Sequence, residues 1–302
     1  GQAVLPADGL GSQPLSRLDG FLVWSSNRSG NHDIWLKSFP DGTTRQLTTH
    51  PHTEYYPRVS PDGKWIVFAR SHEPWVSQRN VYAWDVWLLD LQSGREQLLA
   101  KNGNVPTWSR NGKKVYFQRN ANQVVELDLK SMTERVVHQS GVTVQVPPKT
   151  ELQTPSIGGN GRLAVTFRQA LRATAVVAKD GAVHKTGNGC QLTWGPDDAY
   201  LVKVDNGGRM GNAIFQLKPD SLESRIWFDA PEPYSHEYFP MVANTGDVLV
   251  YGASAGGHEH DTADYEIFLW LIGTPESEAV RITHHTGNDC WPDVFLHRKV
   301  KR

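Results

Sequence analysis

The chain has 302 residues, 38% of them hydrophobic, enough for one large core or two ordinary ones. Its 31 basic and 32 acidic residues balance, which argues against nucleic acid or an anionic membrane surface as partner, and no run of about 18 apolar residues is present to span a membrane. Eleven Trp and 27 Gly point to many short strands and tight turns rather than helices.

Residues 1–19 read as a polar lead-in containing Gly and Pro, without a signal peptide. Residues 21–48 then supply three strands. From residue 55 onward a pattern repeats. "YYPRVSPDGKWIVFAR" (55–70) holds a Pro, apolar residues around a Ser, an Asp-Gly turn and an apolar run. "NVPTWSRNGKKVYFQR" (104–119), "QTPSIGGNGRLAVTFR" (153–168) and "YFPMVANTGDVLVYGA" (238–253) follow it. "CQLTWGPDDAYLVKVD" (190–205) has Leu192 in place of the Pro, and "CWPDVFLH" (290–297) is a truncated sixth copy. Successive anchor positions (57, 106, 155, 192, 240, 292) lie 37 to 52 residues apart, the period of four-stranded propeller blades.

Each copy reads as strands A and B, with C and D following. The sixth copy stops after strand A, and residues 21–48 contain B, C and D but no A. One blade is therefore expected to join both chain ends and leave no open sheet edge. The prediction is an all-β, six-bladed β-propeller over 20–302, a single domain after a 1–19 extension. No stretch sustains a 3.6-residue apolar period, so a helical fold is excluded.

The text "SNRSGNHDIWLKSFPDGTTRQLT" followed by "PRVSPDGKWIVF" resembles the TolB-like, PD40-repeat propellers, and the resemblance covers nearly all the chain from about Leu18. It implies the propeller fold and a periplasmic or secreted location. Blades of this kind occur in scaffold proteins, peptidase propeller domains and polysaccharide lyases, so the resemblance leaves function open.

In a propeller, strand A lines the central channel, and the D-to-A and B-to-C connections share one face, here called the top. Three residues before the anchors stand Glu54, Glu237 and Asp289 in blades 1, 5 and 6, which are neighbours in the ring. They are expected to converge at the channel mouth, beside Tyr55, Tyr238 and Trp291, as a ligand-binding group. The blade 5 loop "GGHEHDTADYE" (256–266) adds His258, His260 and Asp261. With His236 these form a candidate site for a divalent metal such as Zn, Mn or Ca, because imidazole and carboxylate suit such ions. The competing reading is ordinary solvated loops, whose exposed ion pairs contribute roughly 0–1 kcal/mol. An axial Ca²⁺ site would draw on Asn104 and Gln153 as well.

"GASAG" (252–256) matches a nucleophile elbow around Ser254, but no strand-to-helix turn or hydrolase core accompanies it. The glycine-rich "DNGGRMGN" (205–212) is a B-to-C loop rather than a phosphate loop, since no helix follows it. Cys190 and Cys290 share one repeat position two blades apart, too far for a disulfide, and are expected to be free.

Two functions remain open. One is a monomeric binding propeller that holds a small molecule, glycan or protein segment at the channel mouth. The other is a metal-dependent uronate lyase, as in the oligogalacturonate lyases, with His52 or His72 as base and Arg209 holding the uronate. The lyases carry seven blades and this chain six, which puts that correspondence in doubt.

Overall fold

The computed structural model describes residues 13–234 and 236–300, so most of the expected 1–19 extension lies outside the described residues. Six four-stranded antiparallel sheets succeed one another along the chain. In order A to D, blade 1 is Glu54–Val59, Trp65–Ser71, Trp84–Asp90 and Glu96–Ala100. Blade 2 is Asn104–Trp108, Lys114–Arg119, Gln123–Asp128 and Thr133–Gln139. Blade 3 is Thr150–Ile157, Leu163–Gln169, Ala173–Val177 and Val183–Gly187. Blade 4 is Cys190–Trp194, Leu201–Asn206, Asn212–Leu217 and Ser224–Phe228. Blade 5 is His236–Val242, Val248–Ser254, Glu266–Leu271 and Val280–Arg281.

Blade 6 joins the two chain ends, as the truncated sixth repeat predicts. Its A strand, Asp289–Leu296, pairs with Gly20–Ser26, which continues to Asp33–Phe39 and Thr44–Gln46. The seam is tight. A Cβ on Gly20 would sit 2.1 Å from the Phe295 carbonyl oxygen, and Gly20 holds φ at +155°, so glycine is required there. Leu15 and Leu18 pack beside this seam, against the cluster shared by blades 5 and 6.

Each blade is covered on both faces by its neighbours. Strand B of blade 5, VLVYGAS, is buried at all seven positions, which explains its unbroken apolar run. The core is accordingly a ring of separate inter-blade clusters. Val23, Ile34, Ile66 and Phe68 join blades 6 and 1, and Ala164, Val176, Leu192 and Leu201 join blades 3 and 4. Burying a Val, Leu or Phe there contributes roughly 1.5–3 kcal/mol. The A-to-B turns use Gly63, Gly112, Gly161 and Gly246 at positive φ, while blade 4 places Asp197 and Asp198 there instead. No helix among the described residues is long and apolar enough to cross a membrane.

Candidate functional site

The site begins with one backbone irregularity repeated six times. In every A strand the register slips by a β-bulge next to the anchor position. The residue just before the anchor takes a left-handed conformation: Tyr56 (φ 58°), Val105 (47°), Thr154 (48°), Gln191 (56°), Phe239 (60°) and Trp291 (53°). A proline follows in five of the six, and it disfavours the right-handed helical region at the preceding residue. None of the six is glycine, so each costs about 1–2 kcal/mol that the surrounding blades must offset. A bulge bends its strand and re-aims the side chain at its apex.

Those side chains form the waist of the channel. Five of them line a void of only about 40 Å³ on the axis. One half of the waist is aromatic: Trp291 lies 4.4 Å from Tyr56 and 4.3 Å from Phe239, centroid to centroid. The other half carries Thr154 and Gln191, and the Gln191 amide oxygen accepts the Phe239 N–H at 2.6 Å. Above the waist, all six blades line a cavity of about 550 Å³ on the top face. Below it a second cavity of about 370 Å³ opens to the bottom.

The top cavity is polar and cationic. Arg168 is half-buried and donates to the carbonyls of Phe167 (2.8 Å) and Gly189 (3.0 Å), with no carboxylate partner among the described residues. Burial pulls its guanidinium below the ordinary arginine value. Arg172 stands exposed at the rim, and Arg79 is paired with Glu259. The acid facing them is Glu151, which accepts from Gln153 at 2.9 Å.

Three buried polar atoms of the lining have no partner among the described residues: Asn104 Nδ2, Gln118 Oε1 and Trp291 Nε1. Asn104 uses its oxygen to accept the Val105 N–H, and Gln118 uses its amide nitrogen on the Ala121 and Leu152 carbonyls. A spare donor and a spare acceptor are thus left on cross-strand partners. Leaving such groups buried and unmet costs about 1–3 kcal/mol each, which a ligand or bound water offsets.

Of the residues singled out in the sequence, Asn104, Gln153, Cys190, Tyr238, Trp291, His258 and His260 line this cavity. Glu54, Glu237 and Asp289 do not converge at its mouth. All three are wholly buried, and strand geometry turns each between blades. Glu54 accepts from Arg70 at 2.7 Å and from Thr48. Asp289 accepts from Arg28 at 2.8 Å and Trp24 at 3.3 Å. Glu237 accepts the Ala230 N–H at 2.6 Å, and its Oε2 has no partner among the described residues. Burial raises both Glu54 and Glu237 to about 7, with Arg70 opposing the rise at Glu54.

The proposed metal ligands are also dispersed. His236 and His258 stack at 6.1 Å, while His260 packs on Tyr238 and Phe239 at 4.3 and 5.0 Å. Burial lowers His260 to about 4, so its ring is neutral. Asp261 faces away toward blade 1, accepting from the Tyr55 hydroxyl (3.2 Å), Ser77 Oγ (2.5 Å) and the Gln78 N–H (3.1 Å). Among the described residues no three His, Cys, Asp or Glu side chains gather as a metal centre. Tyr55 is fully buried beneath that loop, outside the cavity.

The suggested catalytic groups are likewise apart. His52 is hydrogen-bonded to the Ser71 carbonyl at 2.8 Å, and His72 meets Asp85 at 3.0 Å. Arg209, 57% exposed, is fastened to Asp229 and Glu276. Cys190 and Cys290 are free thiols. The sequence pattern singles out Asn104 but not Arg168, Arg172, Gln118 or Gln191. The usable signal is the column one residue before each anchor, where the polar Thr154 and Gln191 interrupt an otherwise apolar series of Tyr56, Val105, Phe239 and Trp291.

No family model matches the chain, and no curated protein matches it in sequence. Solved structures do match in shape. TolB from Acinetobacter baumannii superposes with a TM-score of 0.65 at 14% identity, over 91% of this chain and 66% of that one. A putative TolB from Agrobacterium tumefaciens gives 0.62 at 15% identity, over 89% and 90%. An oligogalacturonate lyase from Vibrio parahaemolyticus gives 0.53 at 15% identity, over 86% and 73%. At these identities the likeness is one of fold. By its six closed blades and these superpositions, the chain has the six-bladed β-propeller fold seen in the TolB structures.

Proposed function

We propose that the chain is a binding propeller whose top cavity takes an acidic glycan. The observation that carries this reading is the meeting of two cations that have no carboxylate partner among the described residues, Arg168 and Arg172, with donors and an acceptor at the cavity floor that are likewise unmet there. Guanidinium recognises carboxylate by charge-assisted hydrogen bonds. Asn104, Gln118 and Gln191 offer the donors and acceptors that hydroxyl groups need, and Tyr56, Tyr238 and Trp291 offer ring faces. A peptide segment would ask for apolar side-chain pockets, and this lining is dominated by amides, hydroxyls and charges. The oligogalacturonate lyase of similar fold acts, by its name, on an acidic sugar chain, which is consistent with the ligand class. A periplasmic or secreted location belongs to the same proposal.

Calorimetric titration with trigalacturonate and with neutral maltotriose tests it. The acidic trimer is expected to bind and the neutral one to bind at least tenfold more weakly. Arg168→Ala is expected to weaken the acidic trimer by about 10- to 100-fold, the range for a hydrogen bond to a charged group. Equal affinity for the two sugars, or no effect of Arg168→Ala, would overturn the reading.

A further inference from the structure

The mouth of the top cavity is lopsided. The B-to-C connections of blades 1 and 5 are long, spanning 72–83 and 255–265, whereas those of blades 2, 3 and 4 span only 120–122, 170–172 and 207–211. The two long loops are tied together across blade 6. Asp261 of blade 5 accepts from Tyr55, Ser77 and Gln78 of blade 1, and Glu259 pairs with Arg79 at 2.6 Å. This clasp makes a fixed wall on the side of blades 5, 6 and 1.

On the opposite side the wall is low. The blade 4 connection folds down on itself: a Cβ on Gly208 would stand 1.9 Å from the Asn212 carbonyl oxygen, so only glycine permits so tight a return. Over this low rim lies a further cavity of about 330 Å³, which meets the top cavity at Arg168, Arg172, Cys190 and Tyr238. Its remaining lining carries the amides of Asn188, Asn206 and Asn212 and one carboxylate, Asp205, which is paired with Lys203 at 2.8 Å. Asn188 and Asn206 are exposed, and their side-chain amides make no hydrogen bond among the described residues.

We infer that the two cavities form one extended site for a linear acidic oligosaccharide, which places a carboxylate at the Arg168–Arg172 junction and leaves the channel over blade 4. This rests on the acidic-glycan reading above and adds chain length and direction to it. The junction holds the cations, the central cavity holds the floor donors and the aromatic faces, and the outer groove holds amides suited to hydroxyls, its Asp205 carboxylate being matched by Lys203. A chain that entered the channel and turned toward blades 5, 6 or 1 would meet the clasped loops.

The test compares a uronic acid monomer with its trimer by calorimetry, on the unmodified protein and on Asn206→Trp and Asn188→Trp, each of which fills the outer groove from an exposed position. The trimer is expected to bind at least tenfold more tightly than the monomer. Both variants are expected to bring the trimer to monomer affinity and to leave the monomer unchanged. Equal binding of monomer and trimer would overturn the extended site while leaving the central cavity reading intact, and so would a trimer preference that survives both tryptophans. Failure of both uronates to bind would bring down the underlying reading, as would binding of an acidic peptide in their place.

Discussion

Glu237 is the most exacting place to test this structure. It is fully buried, accepts the Ala230 N–H, and leaves Oε2 without a partner among the described residues. Its counterparts Glu54 and Asp289 each hold an arginine; among the described residues Glu237 holds none. Burial raises it from the ordinary glutamate value of 4.5 to about 7, so it is largely protonated below neutral pH. A carboxyl whose folded-state pKa is raised favours the folded state most below its unfolded value, and that contribution is lost as pH rises through the folded value. The window is therefore about pH 4.5 to 7, and the loss across it is on the order of 3 kcal/mol. Glu237→Gln keeps the shape and removes the titration. Urea unfolding of both proteins from pH 4.5 to 8.5 is expected to show the variant gaining on the unmodified protein by that amount as pH rises. A stability difference that stays constant with pH would mean that Glu237 is already ionised and compensated, and would refute the reasoning.

Three further outcomes follow from the same geometry. Asp261→Ala removes the acceptor shared by Tyr55, Ser77 and Gln78 and is expected to cost about 2–4 kcal/mol, with faster amide exchange in both long loops; a cost below about 0.5 kcal/mol would contradict the clasp. Gly20→Ala places a methyl group 2.1 Å from the Phe295 carbonyl and is expected to lower the unfolding midpoint sharply by opening the blade 6 seam, so an unchanged midpoint would contradict that closure. His32 is buried, and burial lowers it to about 3, so the unfolded chain takes up its proton first. Stability from His32 is thus present above about pH 6.5 and is lost as pH falls toward 3; proton NMR is expected to show no titration of its ring between pH 5 and 8.

The fold was legible because its determinants are local and repeated. Asp62-Gly63 and Asn111-Gly112 mark turns, VLVYGAS marks a strand covered on both faces, and the missing A strand before residue 21 marks the seam. The site was less legible because strand alternation fails at one residue per blade. Counting three positions back from the anchor picks out Glu54, Glu237 and Asp289, yet the bulge hands the channel to Tyr56, Gln191 and Trp291 instead. Histidine-rich text misled in a related way. Asp261 sits next to His260 in sequence, but its carboxylate serves the blade 1 loop, a pairing 183 residues away in the chain at Gln78. Arg168 carried no motif at all. Its importance comes from lacking a carboxylate partner, which only the three-dimensional arrangement reveals.

The acidic-glycan cavity is tested most directly by a crystal structure of the protein with a bound uronate trimer. The account predicts a carboxylate within hydrogen-bonding distance of Arg168 and Arg172, sugar hydroxyls on Asn104 Nδ2 and Gln118 Oε1, and the chain running out over blade 4. A trimer seated in the bottom cavity, or a top cavity that stays empty at saturating ligand, would contradict it.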